Sequence, residues 1–288
     1  MKTSLFILFL ICLLPVGSKA QNSKPSVEWT DIPSGKFIMG SPASEEKLLD
    51  NERQHKVRIS AFKMSKYEIT VSQFMAFIDA TGYITDAEKD TGLDGVGSII
   101  WPDPAFKAIP GVTWRCDERG KLLDESDYNR PVTFVSWRDA TAFTEWIGCR
   151  LPTEAEWEYA CRAGTTTPFN TGDKLQTSKA NYFGLYPYNE YDSLGLVRDH
   201  PLPVGSFEPN AWGLCDMHGN VSEWCSNLFD DYQETDRRDP KGPVRGLSRV
   251  ARGGSWCNDA EDCRSANRFC HRLNYHRYDL GFRIVKGN

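Results

Sequence analysis

Arg252-Gly253-Gly254-Ser255-Trp256-Cys257, followed by Cys263-Arg264-Ser265-Ala266-Asn267-Arg268 and Leu280-Gly281-Phe282-Arg283, is the stretch on which the fold turns. Paired glycines permit a sharp turn or a close backbone approach. The three residues after them set a hydroxyl, an indole and a thiol side by side. A second thiol, Cys263, stands six positions after the first, with arginines behind it. The stretch reads either as a reactive-thiol or thiolate–metal site, or as a disulfide-pinned strand pair without chemistry.

The start of the chain sets the compartment. Lys2 precedes an apolar run from Leu5 to Leu14, and Ser18-Lys19-Ala20 has the small-x-small pattern of a cleavage site. Residues 1–20 therefore read as a signal peptide and 21–288 as one exported domain, whether periplasmic, secreted or in an endomembrane lumen. The apolar run is too short to span a bilayer. No cysteine follows Ala20 to take a lipid anchor. Without Cys12 the cysteines are Cys116, Cys149, Cys161, Cys215, Cys225, Cys257, Cys263 and Cys270, an even set that favours disulfides in an exported chain. No CxxC pair is present, which disfavours a zinc ribbon.

The net charge of −5 is mild and no lysine or arginine run marks a nucleic-acid face. Arginines between Arg245 and Arg283 alternate with aromatics and glycines, a spacing suited to bonding backbone and carboxylates inside a loop-rich core. Alternation broken by Pro33, Gly35 and Gly40 predicts a hairpin over 27–41, and residues 57–69 predict a strand pair leading into a helix. The polar residues 45–55 predict a loop. Thr70-Val71-Ser72-Gln73 is a capping box, Phe74, Phe77 and Ile78 form an apolar stripe, and Gly82 closes the helix. A second helix starts at Ser136 with Ala140, Phe143, Trp146 and Ile147 inward and Gly148 at its end. A third starts from the capping box of Thr153 and Glu156 and runs towards Gly164. From Thr165 onward no period is sustained, so the reading is one α+β domain with a long turn-rich second half fastened by disulfides or metal.

Seven motifs in one order identify a resemblance: Tyr67-Glu68-Ile69-Thr70, Thr85-Asp86-Ala87-Glu88-Lys89, residues 131–137 (PVTFVSW), residues 150–159 (RLPTEAEWEY), Gly219-Asn220-Val221-Ser222-Glu223-Trp224, Arg252-Gly253-Gly254-Ser255-Trp256 and Leu280-Gly281-Phe282-Arg283. Over residues 27–285 the chain resembles the formylglycine-generating enzymes, or sulfatase-modifying factors. The resemblance implies a compact C-type-lectin-like α+β fold. It also implies oxidation of a sulfatase cysteine to formylglycine, using oxygen and a copper ion held by two thiolates. Soft sulfur donors suit Cu(I). In the family those thiolates lie just after Gly-Gly-Ser with four residues between them. Here Ser255 matches the serine, Cys257 comes one position early, and Cys263 follows after five residues. A competing alignment matches Cys161 and Cys263 to a family disulfide, which would leave Cys257 alone beside Ser255. Ser222 also stands where the family has an aromatic.

Asp216 and Glu223 bracket a turn at Gly219 and can join carbonyls around a hard cation; equally, Asp216 can cap a turn while Glu223 sits in a salt bridge. The resemblance implies structural calcium on the side chains of Asp216 and Glu223 and the carbonyls of Gly219 and Val221. A second calcium is implied at the Asn181 side chain and Tyr182 carbonyl. Asn220-Val221-Ser222 is a glycosylation sequon, discounted inside such a turn. The five histidines share no metal-ligand spacing beyond a loose pair at His271 and His276. Glu154, Glu156 and Glu158 read as helix-start charges favouring the dipole. Two functions follow. One is an oxidase with Ser255, Cys257 and Cys263 as its site and an extended sulfatase segment as substrate. The other is a non-catalytic module binding glycan or protein through aromatics of 182–191, since fold alone does not fix function.

Overall fold

The computed structural model describes residues 24–45, 52–89, 98–102, 108–189, 193–232 and 237–287; the residues 1–20 read as a signal peptide and most of the polar stretch after Glu45 lie outside them. Four strands come first: β1 (Trp29–Ile32), β2 (Gly35–Met39), β3 (His55–Ile59) and β4 (Phe62–Ser65). Helices α1 (Val71–Thr81) and α2 (Asp86–Lys89), the short pair β5 (Ser98–Ile99) and β6 (Ala108–Ile109), then helices α3 (Trp137–Ile147) and α4 (Glu154–Arg162) follow. The second half carries β7 (Ser222–Leu228), β8 (Arg237–Arg238), β9 (Ser248–Arg252), β10 (Phe269–Arg272), β11 (Leu280–Gly281) and β12 (Val285–Gly287).

The strands of 27–41 and 57–69 form as the alternation predicts, but neither stretch is a hairpin. β1 pairs antiparallel with β4, and β2 with β3, with Phe37 opposite Val57. The Pro33-Ser34 link carries the chain from one sheet into the next, because one core claims both apolar faces: Ile32, Met39, Val57, Phe62 and Met64 all pack around Trp157. Sheet order is β1-β4-β12, β2-β3-β8 and β10-β9-β7-β11. The last sheet packs Trp224 and Ala251 against the α1 and α3 stripes of Phe74, Phe77, Ala140 and Phe143.

Each helix start is built as its sequence requires. Gln73 N–H donates to Thr70 Oγ1 at 3.3 Å while Thr70 N–H donates to Gln73 Oε1 at 3.0 Å. Ser136 with Asp139 and Thr153 with Glu156 close the same reciprocal pair. Gly82 and Gly148 end α1 and α3 in the left-handed region, whereas α4 stops at Ala163, one residue before the predicted glycine. The glutamates at the start of α4 are more than dipole charges. Glu156 holds Arg150 at 2.7 Å, Glu154 holds Arg268 at 2.6 Å, and Glu158 joins Arg162 at 2.9 Å and Arg252. Arg252, Arg264 and Arg283 are fully buried and bond carboxylates and carbonyls, as the spacing of the tail predicts.

The expected disulfides are not formed: all eight cysteines after residue 20 are free thiols. Cys161 does not reach Cys263. Its sulfur points instead to Ser265 Oγ at 3.6 Å and His218 Nε2 at 3.7 Å, and the buried Cys263 lies behind Gly254.

Candidate functional site

Strand β9 delivers Arg252 into a buried network, and the chain then turns through Gly253 (φ +96°) and Gly254 (φ +67°). A Cβ on Gly254 would lie 2.6 Å from the Cys263 sulfur, so only glycine allows the loop to fold back over that thiol. The turn presents Ser255 and Cys257 to Asp279. Ser255 Oγ is 3.0 Å from Asp279 Oδ2 and 3.3 Å from Cys257 Sγ, and it donates to Asn258 Oδ1 at 2.6 Å. The Cys257 thiol donates to the same Asp279 oxygen at 3.3 Å. Arg277 clamps that carboxylate and stands 4.0 Å from the Cys257 sulfur.

Burial opposes ionisation of Asp279, but the Arg277 guanidinium and its hydrogen bonds hold it below the usual carboxylate range. Burial, then the neighbouring Asp279 charge, pushes the Cys257 thiol up. Burial also raises Cys263, followed by the charges of Asp262 and of Cys257. Trp256 is fully buried with its indole nitrogen unpartnered, edge-on to Trp101 at 5.3 Å and beside Tyr278 at 5.6 Å. Cys257 packs against this cluster and remains half-buried. The arrangement is a protonated thiol held by a hydroxyl and an ionised carboxylate beside an aromatic wall.

These features sit in a chain whose residues 16–288 match the model of the sulfatase-modifying factor enzyme 1-like domain. The chain belongs to the formylglycine-generating enzyme family. The formylglycine-generating enzyme of Thermomonospora curvata is 34% identical over 88% of this chain and 91% of its own length. That of Streptomyces coelicolor is 37% identical over 88% and 87%. Among solved structures, PvdO from Pseudomonas aeruginosa superposes with a TM-score of 0.66 at 24% identity, covering 93% of this chain and 97% of that one. The fold is therefore the compact, C-type-lectin-like α+β fold of this family.

The residues for which the resemblance implies calcium lie around the turn before β7 and the segment that bridges to it. Asp216 (φ +57°) is buried; its Oδ2 accepts from Gly205 N–H at 2.6 Å, and its Oδ1 has no partner. Asn181 is buried and donates Nδ2 to His200 O at 2.9 Å, leaving Oδ1 unpartnered, while its backbone oxygen accepts from Asn220 N–H at 2.7 Å. Gly219 (φ +74°) passes so close to that oxygen that a Cβ would lie 2.1 Å from it. Val221 is fully buried, and the Tyr182 hydroxyl donates to Leu175 O at 2.7 Å. Glu223 stands apart: both its oxygens are taken by Arg283, at 2.7 and 2.8 Å, and Trp157 adds a third donor at 2.7 Å. The salt-bridge reading is the one realised at Glu223.

Glu68 takes a place the sequence reading did not give it. Its Oε1 accepts from Asn220 Nδ2 at 3.0 Å, and its buried Oε2 has no partner. Burial and the charge of Asp216 push Glu68 well up, and burial pushes Asp216 up to about 6. Among the described residues, no three His, Cys, Asp or Glu side chains converge as a metal cluster, so a cation here must draw on amide and carbonyl oxygens as well. The sequence signal for Glu68 was present in the first family motif, Tyr67-Glu68-Ile69-Thr70. Its chain distance from Asp216 hid its partnership. Asn220 of the sequon is buried and fully engaged, in keeping with discounting it.

Proposed function

We propose that this chain is an exported formylglycine-generating-type protein. It oxidises a cysteine of an extended sulfatase segment at the Ser255–Cys257–Cys263 turn. The observation that carries the reading is that Cys257 and Cys263 are both free thiols, Cys263 lying against the Gly254 turn that presents Cys257, with Cys161 turned away to Ser265 and His218. Two unbonded thiols form the soft donor pair that copper requires. Bound there, copper would supply the activation of oxygen. The chain's own groups position and shield: Ser255 and Asp279 fix the Cys257 sulfur, and Trp256, Trp101 and Tyr278 exclude water from one side. Structural calcium fits the three unpartnered oxygens of Glu68, Asp216 and Asn181, with backbone carbonyls near Gly219, Val221 and Tyr182 completing an all-oxygen set.

Two observations favour a second reading, a non-catalytic module that binds protein or glycan on the same scaffold. Burial and the Asp279 carboxylate push the Cys257 thiol up, and Ser222 is buried where the family has an aromatic, donating its N–H to Asp279 O at 2.8 Å. Of the aromatic stretch 182–191, Tyr182 and Tyr188 are buried, so Leu185 and Tyr186 are its exposed contacts among the described residues. Anaerobic Cu(I) titration of the wild type, Cys257→Ser and Cys263→Ser, followed by incubation with a sulfatase peptide and oxygen, separates the two. One copper bound by the wild type, lost in each variant, with aldehyde formed in the peptide, supports the oxidase. No copper uptake by a protein whose two thiols still react with a thiol reagent after unfolding removes it and leaves the binding module.

A further inference from the structure

Beside the Arg252 network, a cavity of about 420 Å³ opens between the start of α4, the end of β7 and the segment 240–245. Its size falls within the range of small-molecule sites. None of its lining residues belongs to the Ser255–Cys257 cluster or the Glu68–Asp216 cluster. Its lining combines the apolar Met39, Ala155 and Pro243 with the polar Asn227, Asp231 and Arg245.

Three features of that polar lining call for a ligand. Asn227 is only 5% exposed, and its Oδ1 accepts from Glu154 N–H at 2.8 Å, yet its Nδ2 donates to no protein group. Asp231 and Arg245 line the same cavity with opposite charges, yet their side chains are engaged neither by each other nor by any other group of the described residues. They are therefore held further apart than an ion pair. Behind them, Glu154 is saturated by Arg268 and Tyr232, so the inner charges of the lining are already balanced.

We propose that this cavity binds a short zwitterionic peptide, of dipeptide size, with apolar side chains. Its carboxylate pairs with Arg245, its ammonium group with Asp231, and its central carbonyl accepts from Asn227 Nδ2. Its side chains lie on Met39, Ala155 and Pro243. A free amino acid carries its two charges too close together to reach both rims, whereas a dipeptide separates them by about 7 Å. Guanidinium–carboxylate pairing at one end and carboxylate–ammonium pairing at the other make both termini part of the recognition.

Calorimetric titration of the purified chain with Leu-Leu, N-acetyl-Leu-Leu and Leu-leucinamide tests this. The expected result is saturable binding of Leu-Leu, with each blocked form about ten-fold weaker. In Arg245→Gln the penalty for blocking the carboxylate disappears. In Asp231→Asn the penalty for blocking the amine disappears. Both residues are exposed, so these variants fold irrespective of the outcome, and a circular dichroism spectrum checks it. Absence of binding at millimolar Leu-Leu, equal binding of all three peptides, or penalties unchanged in both variants would overturn the assignment.

Discussion

Glu223 and Arg283 form a two-pronged ion pair from which water is excluded: Arg283 Nε donates to Oε2 at 2.7 Å and Nη2 to Oε1 at 2.8 Å, and neither side chain is exposed. The pair joins β7 to the segment that follows β11. Arg283 Nη2 also donates to Cys215 O at 3.0 Å, so three stretches distant in sequence meet on one guanidinium. Removing one partner strands a buried charge, which costs about 3–5 kcal/mol. Against a typical stability of roughly 5–15 kcal/mol this is a large share. Arg283→Met is expected to lower the urea midpoint accordingly, and Glu223→Gln with Arg283→Met to recover part of the loss. A single-variant cost under about 1 kcal/mol would contradict the pair's role.

The carboxylates of Glu68 and Asp216 are raised by burial, Glu68 further by the charge of Asp216 and Asp216 by that of Glu223, which a bound cation would relieve. Without cation, a raised carboxylate contributes stability that is complete below its unfolded value of about 4 and is lost as pH rises through its folded value. For Asp216 that folded value is about 6. In chelator-treated protein the unfolding free energy of the wild type, taken relative to Glu68→Gln with Asp216→Asn so that the opposing histidines cancel, is therefore expected to be lower at pH 8 than at pH 5. At pH 8, chelation is expected to lower the melting temperature by more than ~5 °C. Glu68→Gln should abolish that chelator effect. A melt indifferent to chelator in the wild type would remove calcium from this site.

The thiols rank by access. Cys270 is exposed, Cys149 and Cys257 are half-buried, and Cys161, Cys225 and Cys263 are fully enclosed, with burial pushing Cys161 up to about 12. Thiolate is the reacting form. Iodoacetamide applied to the folded, non-reduced protein is expected to label Cys270 first and to reach Cys161 and Cys263 only after unfolding. Recovery of a Cys161–Cys263 cross-linked peptide would overturn the free-thiol arrangement.

What the sequence disclosed, and what it withheld, divide by the range of the interactions. The caps at Thr70, Ser136 and Thr153 and the glycine at 254 are decided within a few residues, and they stand where their sequences place them. Strand pairing is different. β1 and β2 look like a hairpin because they are adjacent, yet Ile32 and Met39 must reach one core around Trp157 from two sheets. At the site, Ser255 beside Cys257 was legible, whereas Asp279, which organises both, sits 22 residues beyond Cys257 and carries no local signature. The same distance hid Glu68 from Asp216, and Arg283 from Glu223. A charged residue's partner is set by tertiary packing, and one sequence records only the charge.

His218 provides a measurable consequence of such packing. Its Nδ1 is 2.7 Å from the Cys263 carbonyl, to which it must donate, and its Nε2 accepts from Asn170 N–H at 3.0 Å. Both nitrogens are thus committed in the neutral tautomer, and a second proton on Nε2 would displace the Asn170 N–H and find only the weakly accepting Cys161 sulfur at 3.7 Å. Burial pushes its pKa down to about 4 from an ordinary value near 6.5. Between those values the unfolded chain binds the proton and the folded chain does not, so stability falls as pH falls through that window. The loss amounts to about 3 kcal/mol once pH is below both values. His271 is lowered to about 4 in the same way, while Asp216 and Glu68 act in the opposite sense, so the wild-type profile mixes all four. Subtracting the unfolding free energy of His218→Gln from that of the wild type isolates the one residue. The difference is expected to be largest at pH 7 and to shrink towards pH 4.5. A difference that stays constant across that range would mean His218 is not held neutral by its burial.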